Sequence, residues 1–264
     1  MKILIISGDH PRHIYFHKKI IQQKNIDVKS IILKRESFSK PKIFSKNKKH
    51  IFLLKKHFED RDKEEKSFFA DNIKLKNFFS VDKSNFNLKI LNHLKKNRNY
   101  KVVIVFGTHI INKELRKYMP KNTINLHLGL SPNYRGTATL FWPFYFLEPQ
   151  FAGFTFHKLG DAPDAGEILH QGSPNLERGD KIHTVACKTV VKATKDILIL
   201  LKNFELKKWK YVRQKTSGKN FQTKDFHPCH LELIYNKFNN RIVDMYLDKK
   251  LSIKKPKLIN FFKK

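Results

Sequence analysis

The chain has 264 residues, two cysteines, 40% hydrophobic residues and a formal net charge of +31. That length suits one domain of ordinary size plus an extension, or two small ones, and the hydrophobic content excludes a wholly disordered chain. Two distant cysteines exclude a disulfide framework and a cysteine-rich metal site. No run approaches the roughly 18 apolar residues of a membrane span, so a soluble cytoplasmic protein is expected.

Residues 2–6 form a continuous apolar run that stops at Ser7-Gly8-Asp9, the pattern of a buried parallel strand. Ile14, Phe16, Ile20 and Ile21 then recur at helical spacing over residues 10–23, and residues 28–33 read as a second strand. Strand, helix and strand in about thirty residues make a βαβ unit, whose first turn gathers backbone N–H groups and a helix N-terminus. That turn lacks the Gly-x-Gly-x-x-Gly fingerprint, so neither NAD nor FAD is expected. His10, His13 and His17 share one helix face, but no carboxylate or cysteine completes a metal site, and no metal is expected.

Residues 34–80 break the alternation. Residues 40–49 are basic and polar. Residues 51–69 read as a charged helix with Phe52, Leu53, Phe58, Phe68 and Phe69 as apolar contacts: an inserted surface helix, or an element that shapes a partner or acceptor site. A helix at 85–96, a β-branched strand at 101–106, a short helix at 115–118 and a strand at 123–126 follow.

Next comes the densest stretch, residues 124–171. Asn125 and His127 are two apart, so in an extended strand both side chains share one face. Pro132, Asn133 and Gly136 then force a loop. An amide donor and an imidazole on one face before a tight loop have the look of a reaction site. Residues 139–146 are aromatic-rich, and core packing is expected of them rather than stacking on a ring ligand. Strands at 153–159 and 167–171 flank a loop holding Asp164. A long helix starts at Gly179-Asp180, with Asp180 as the expected N-cap.

Residues 202–264 form a basic extension with seventeen Lys/Arg and five Asp/Glu. Leu231, Ile234, Phe238, Ile242 and Met245 repeat at helical spacing, so part of it folds. His227, Cys229 and His230 cluster without a fourth zinc ligand. The positive charge either meets a polyanion or reflects a lysine-rich composition. It is spread along the chain with no RNP-type, KH-type or helix-turn-helix signature, which favours composition.

The pieces Asn125-x-His127, Ser131 to Gly136, Gly153-Phe154-Thr155-Phe156-His157 and Asp164-Ala165-Gly166 resemble, in order and spacing, the catalytic domain of the 10-formyltetrahydrofolate-dependent formyltransferases. The resemblance implies an α/β fold: an open, mostly parallel Rossmann-like sheet flanked by helices over residues 1–201, with a helical insertion at about 34–80 and the small extension at 202–264. It implies transfer of a formyl group to a primary amine with 10-formyltetrahydrofolate as donor. Asn125 and a protonated His127 would stabilise the oxyanion, and Asp164 would orient His127 and take the proton of the amine through water. Gly107, Thr108, His109, Ile111 and Gly160 would line the folate pocket. His10, Arg12 and His13 would hold an anionic part of the acceptor, and Arg135 either contacts that anion or anchors its own loop by a salt bridge. The Asp161 to Gly166 loop is similar to the branch acting on nucleotide-linked amino sugars, the leading expectation. Methionyl-tRNA and glycinamide ribonucleotide are the alternative acceptors, and a non-catalytic nucleic-acid-binding protein is the alternative of another class.

Overall fold

The computed structural model describes residues 1–34, 46–70, 75, 77–215 and 218–262; residues 40–45 of the expected basic stretch lie outside them. Seven strands form one open sheet in the order β3-β2-β1-β4-β5-β7-β8. They are β1 (Lys2–Gly8), β2 (Asp27–Leu33), β3 (Phe78–Val81), β4 (Val102–Phe106), β5 (Thr123–His127), β7 (Phe154–Lys158) and β8 (Ile168–Gly172). β3, β2, β1, β4 and β5 run parallel, and β7 and β8 add an antiparallel hairpin.

The alternation of strand side chains divides the core into two layers. Ile3 and Ile5 of β1, with Val102, Ile104 and Phe106 of β4, face one cluster, where α1 (Pro11–Ile21) and α6 (Ile182–Lys202) pack. Leu4, Ile6, Val103 and Val105 face the other, covered by Ile90, Leu91 and Leu94 of α3 (Phe86–Lys96) and Leu115 of α4 (Lys113–Arg116). Each fully buried aliphatic side chain contributes roughly 1.5–3 kcal/mol. β1 and β4, solvent-free on both faces, therefore anchor the fold.

A third cluster joins the aromatic segment around α5 (Trp142–Tyr145) to the C-terminal part of the chain. Trp142 stacks on Phe221 at 4.4 Å, so the aromatics pack in a core, as expected. Leu53 and Leu54 of α2 (Lys48–Phe68) join that cluster, and α2 packs along α6. Two short strands, β6 (Tyr134–Gly136) and β9 (Lys219–Phe221), pair in parallel beside the main sheet.

Three local expectations differ from the structure. The edge strand β3 falls within residues read as insertion. Helix α6 begins at Ile182 after Lys181, not at Asp180; Asp180 is buried, accepts from the Glu177 N–H at 2.8 Å and pairs with Lys188, while Asn240 caps the Ile182 N–H at 3.2 Å. The apolar repeat over 231–245 is split into α7 (His230–Glu232), a π-helical turn (Leu233–Lys237) and α8 (Ile242–Leu247). Asn239 and Asn240, at φ 46° and 55°, make the break.

The tail returns along the outer edge of β8. The Gln171 N–H donates to the Ile259 carbonyl at 2.7 Å, and the Phe261 N–H donates to His170 Nδ1 at 3.3 Å. Among the described residues, no helix is long and apolar enough to cross a membrane.

Candidate active site

The parallel strands β1, β4 and β5 end side by side, with Ser7 opposite Phe106 and Phe106 opposite Leu126. The crevice at the carboxyl ends of such strands is where open α/β sheets bind ligands. β5 meets β7 there, and the antiparallel register sets Asn125 opposite His157 and His127 opposite Thr155. Directly opposed residues of an antiparallel pair share a face. Asn125 Nδ2 therefore donates to His157 Nε2 at 3.1 Å, while His157 Nδ1 donates to the Lys158 carbonyl at 2.7 Å. His157 is part of the site although its role was not assigned from sequence. The antiparallel register is the signal that places it.

Thr155 explains another position of the motif. Its hydroxyl donates to the Gly129 carbonyl at 2.7 Å and accepts from the Ser131 N–H at 3.0 Å. The loop after β5 is thereby tied to β7, and the Gln171 amide adds a 2.6 Å bond to the Ser131 carbonyl.

Asp164 comes over the pair from the loop between β7 and β8. Its Oδ2 accepts from the Gly136 N–H at 2.9 Å and lies 3.3 Å from His127 Nδ1. Its Oδ1 lies 3.4 Å from both Asn125 Nδ2 and His157 Nε2. Asn125, His127 and Asp164 are thus brought together, with His157 as a fourth member. Two glycines permit the approach. A Cβ on Gly166 would sit 1.8 Å from the Lys158 carbonyl oxygen, and one on Gly136, at φ 89°, would sit 2.1 Å from that of Phe221.

The electrostatics follow from these contacts. Burial alone would raise the Asp164 carboxyl. The charge of His127, the hydrogen bond and charge of His157 and the Gly136 N–H outweigh it and hold the group down at about 2. For His127 burial dominates and lowers the imidazole below its ordinary value, against the pull of Asp164 and the Tyr134 carbonyl. Its Nε2–H is donated to the Tyr134 carbonyl at 2.8 Å, and burial acts against the protonated form expected of His127 while Asp164 favours it. Nδ1 remains to receive a proton, and Asp164 pairs with the cation so formed.

The Tyr134-Arg135-Gly136 turn is held by its neighbours. The Tyr134 hydroxyl donates to Glu148 at 2.7 Å, and its ring stacks on Phe221. Arg135 forms no ion pair among the described residues, so the anchoring salt bridge is not found; its charge lies close enough to depress His127 further.

The turn after β1 is less open than the sequence suggested. Arg12 is ion-paired with the buried Glu65 of α2. His13 is buried, its ring edge-on to Phe106 at 4.4 Å and wedged between Gly8 and Gly107. His10 is the N-cap of α1, and its backbone N–H donates to His13 Nδ1 at 3.2 Å. On the three-histidine face, His17 bridges the Ser7 and Ser30 hydroxyls at 2.7 and 2.9 Å, and among the described residues no group of three or more His, Cys, Asp or Glu is placed to hold a metal ion.

Gly107, at φ 60°, ends β4 against His13. Thr108 donates to the His109 carbonyl at 3.0 Å, His109 packs edge-on to Phe86, and Ile111 is buried under the sheet. Arg116 of α4 donates to the Gly160 carbonyl at 2.7 Å and pairs with Asp161, linking α4 to the Asp164 loop. On the side of α1, α2 and α6 lies a cavity of about 430 Å³, lined among others by Arg12, Glu65, Leu128, Thr137, Phe141 and His183.

The chain is similar in sequence and fold to known proteins. Over 127 residues the chain is 28% identical to a methionyl-tRNA formyltransferase of Caldicellulosiruptor saccharolyticus, covering 48% of this chain and 40% of that protein. Over 77 residues it is 31% identical to a GDP-perosamine N-formyltransferase of Brucella melitensis, covering 29% of each. The chain thus spans less than half the length of either relative. A solved formyltransferase of Anoxybacillus kamchatkensis, PseJ, in complex with UDP-4,6-dideoxy-4-formamido-L-AltNAc and tetrahydrofolate, shares the fold at a TM-score of 0.54 and 16% identity, over 92% of this chain and 96% of that one. The family model described as formyl transferase matches residues 2–200, and with that span covered the chain belongs to the formyl transferase family.

Proposed function

We propose that the chain is an N-formyltransferase that moves a formyl group from 10-formyltetrahydrofolate to a primary amine of a nucleotide-linked amino sugar or a similar phosphorylated small molecule. The observation that carries this reading is the convergence of Asn125, His127, His157 and Asp164 at the sheet crevice. The donor's side is taken to be residues 107–111 and Gly160, where Ile110 stands 83% exposed beside the crevice and offers an apolar face to a flat ring. The acceptor's side is taken to be the cavity walled by α2 and α6.

The amine nitrogen bonds to the formyl carbon, and the carbonyl electron pair moves to oxygen. An Asn125 Nδ2–H, released from its long 3.4 Å contact with Asp164, donates to that oxyanion. The proton leaving the amine passes to His127 Nδ1, where Asp164 pairs with the imidazolium. Collapse breaks the carbon–nitrogen bond to the donor, whose nitrogen takes the proton. No nucleophilic serine or cysteine is needed, because the amine attacks directly. Arg12, whose Nε has no partner among the described residues, and Arg61 line the cavity and would meet an anionic acceptor.

The resemblance of the 161–166 loop and the likeness to a GDP-perosamine N-formyltransferase support a sugar acceptor. The test is consumption of 10-formyltetrahydrofolate with a panel of nucleotide-linked amino sugars, glycinamide ribonucleotide and methionyl-tRNA. Turnover with an amino sugar is expected. Turnover with charged tRNA alone replaces the acceptor, and no turnover with any amine removes the activity.

A further inference from the structure

Outside the family-matched span 2–200, one side chain reaches into the catalytic loop. The Gln214 amide donates to the Asp164 carbonyl at 2.9 Å and to the Gly166 carbonyl at 2.8 Å, spanning the two residues that bracket Ala165. Asp164 sits at φ 49°, in the left-handed region, which costs a residue with a side chain about 1 kcal/mol. Such a conformation persists where its surroundings over-determine it. The segment carrying Gln214 is itself pinned on both sides. Val212 and Ile168 exchange both backbone hydrogen bonds at 2.8 Å, and β9 pairs with the Tyr134-Arg135-Gly136 turn whose last N–H binds Asp164.

We propose that Gln214 is a positioning residue for Asp164. It fixes the backbone on either side of the loop's apex, so that the carboxylate stays within reach of His127, His157 and the Gly136 N–H. Residues 212–215 and 219–221, beyond the family core, thereby complete the catalytic site. This inference rests on the reading of Asp164 as a catalytic residue.

Gln214→Glu keeps the size of the side chain and replaces two N–H donors with an acceptor facing two carbonyls; Gln214→Ala removes the group. The readout is the titration of His127 in the full chain, followed by NMR and assigned through the signal lost in His127→Gln. Asp164 holds the His127 imidazole up against burial, so its retreat lowers the His127 midpoint in both variants. Thermal midpoints stay within a few degrees of wild type, and kcat falls about tenfold or more with KM for the formyl donor unchanged. A His127 midpoint in Gln214→Glu equal to that of wild type overturns the proposal whatever the activity. A lowered midpoint alongside full activity in Asp164→Asn upholds the positioning and overturns the catalytic reading of Asp164 instead.

Discussion

Asp164→Asn is the most informative single change. Asparagine has nearly the same shape and tolerates the left-handed backbone that Asp164 adopts at φ 49°. It keeps an oxygen for the Gly136 N–H and loses the charge. The fall of the Asp164 carboxyl from 3.8 to about 2 amounts to about 2 kcal/mol of stability at neutral pH. That stabilisation is fully present above about pH 4 and is lost as pH falls towards 2. Part survives in the retained hydrogen bond, so the variant should lose about 1–2 kcal/mol and still fold, given the usual 5–15 kcal/mol of a domain. The reaction suffers more. Without the carboxylate, a proton arriving at His127 Nδ1 has no anion 3.3 Å away to pair with. Loss of such acid–base assistance costs about 10²–10⁴-fold in kcat, or about 3–5 kcal/mol of barrier. The checks are urea denaturation and the rate of donor-dependent formyl transfer at saturating acceptor. A folded Asp164→Asn protein with kcat within threefold of wild type would refute the reasoning.

Asn125→Ala removes the oxyanion donor and should lower kcat by about 10²–10³-fold while leaving KM for the formyl donor nearly unchanged; a KM effect alone would count against the role. Gly166→Ala would place a Cβ 1.8 Å from the Lys158 oxygen, so the Asp164 loop must shift; loss of activity with retained helical circular dichroism is expected, and wild-type turnover would contradict the geometry. Acidification should destabilise the chain. Burial holds His17 at about 3 and His183 at about 4, so the unfolded state binds protons below about pH 6.5 that the folded state refuses. Each group then removes about 1.4 kcal/mol per pH unit until its folded value is reached, and the urea midpoint at pH 5 should fall clearly below that at pH 7.5.

The parts of the fold legible in the sequence were those with one dominant local signal. The runs Ile3 to Ile6 and Val102 to Phe106 are apolar without a break because both faces of their strands are covered. β3 is four residues long, starts at an exposed Phe78 and carries no such run. Asp180 looked like a cap because local chemistry favoured it, but the cap came from Asn240, 58 residues away. The site divides in the same way. A spacing of two placed Asn125 and His127 on one face, and the Asp164 loop was marked by its motif. His157 needed the antiparallel register with Asn125. The occupied state of Arg12 needed Glu65, 53 residues on, and Gln214 is one polar residue among several in a basic stretch, with nothing local to single it out.

The tail laid along β8 bears on how the chain is made. Residues 171 and 259 are 88 positions apart, so on the ribosome β8 is synthesised long before its cover. For that interval the nascent hairpin presents an open row of backbone donors and acceptors, the kind of edge that recruits strands from other chains. Holding chaperones would act in this window, and crowded expression would be expected to divert the chain into aggregates at this edge before residues 259–262 arrive to close it.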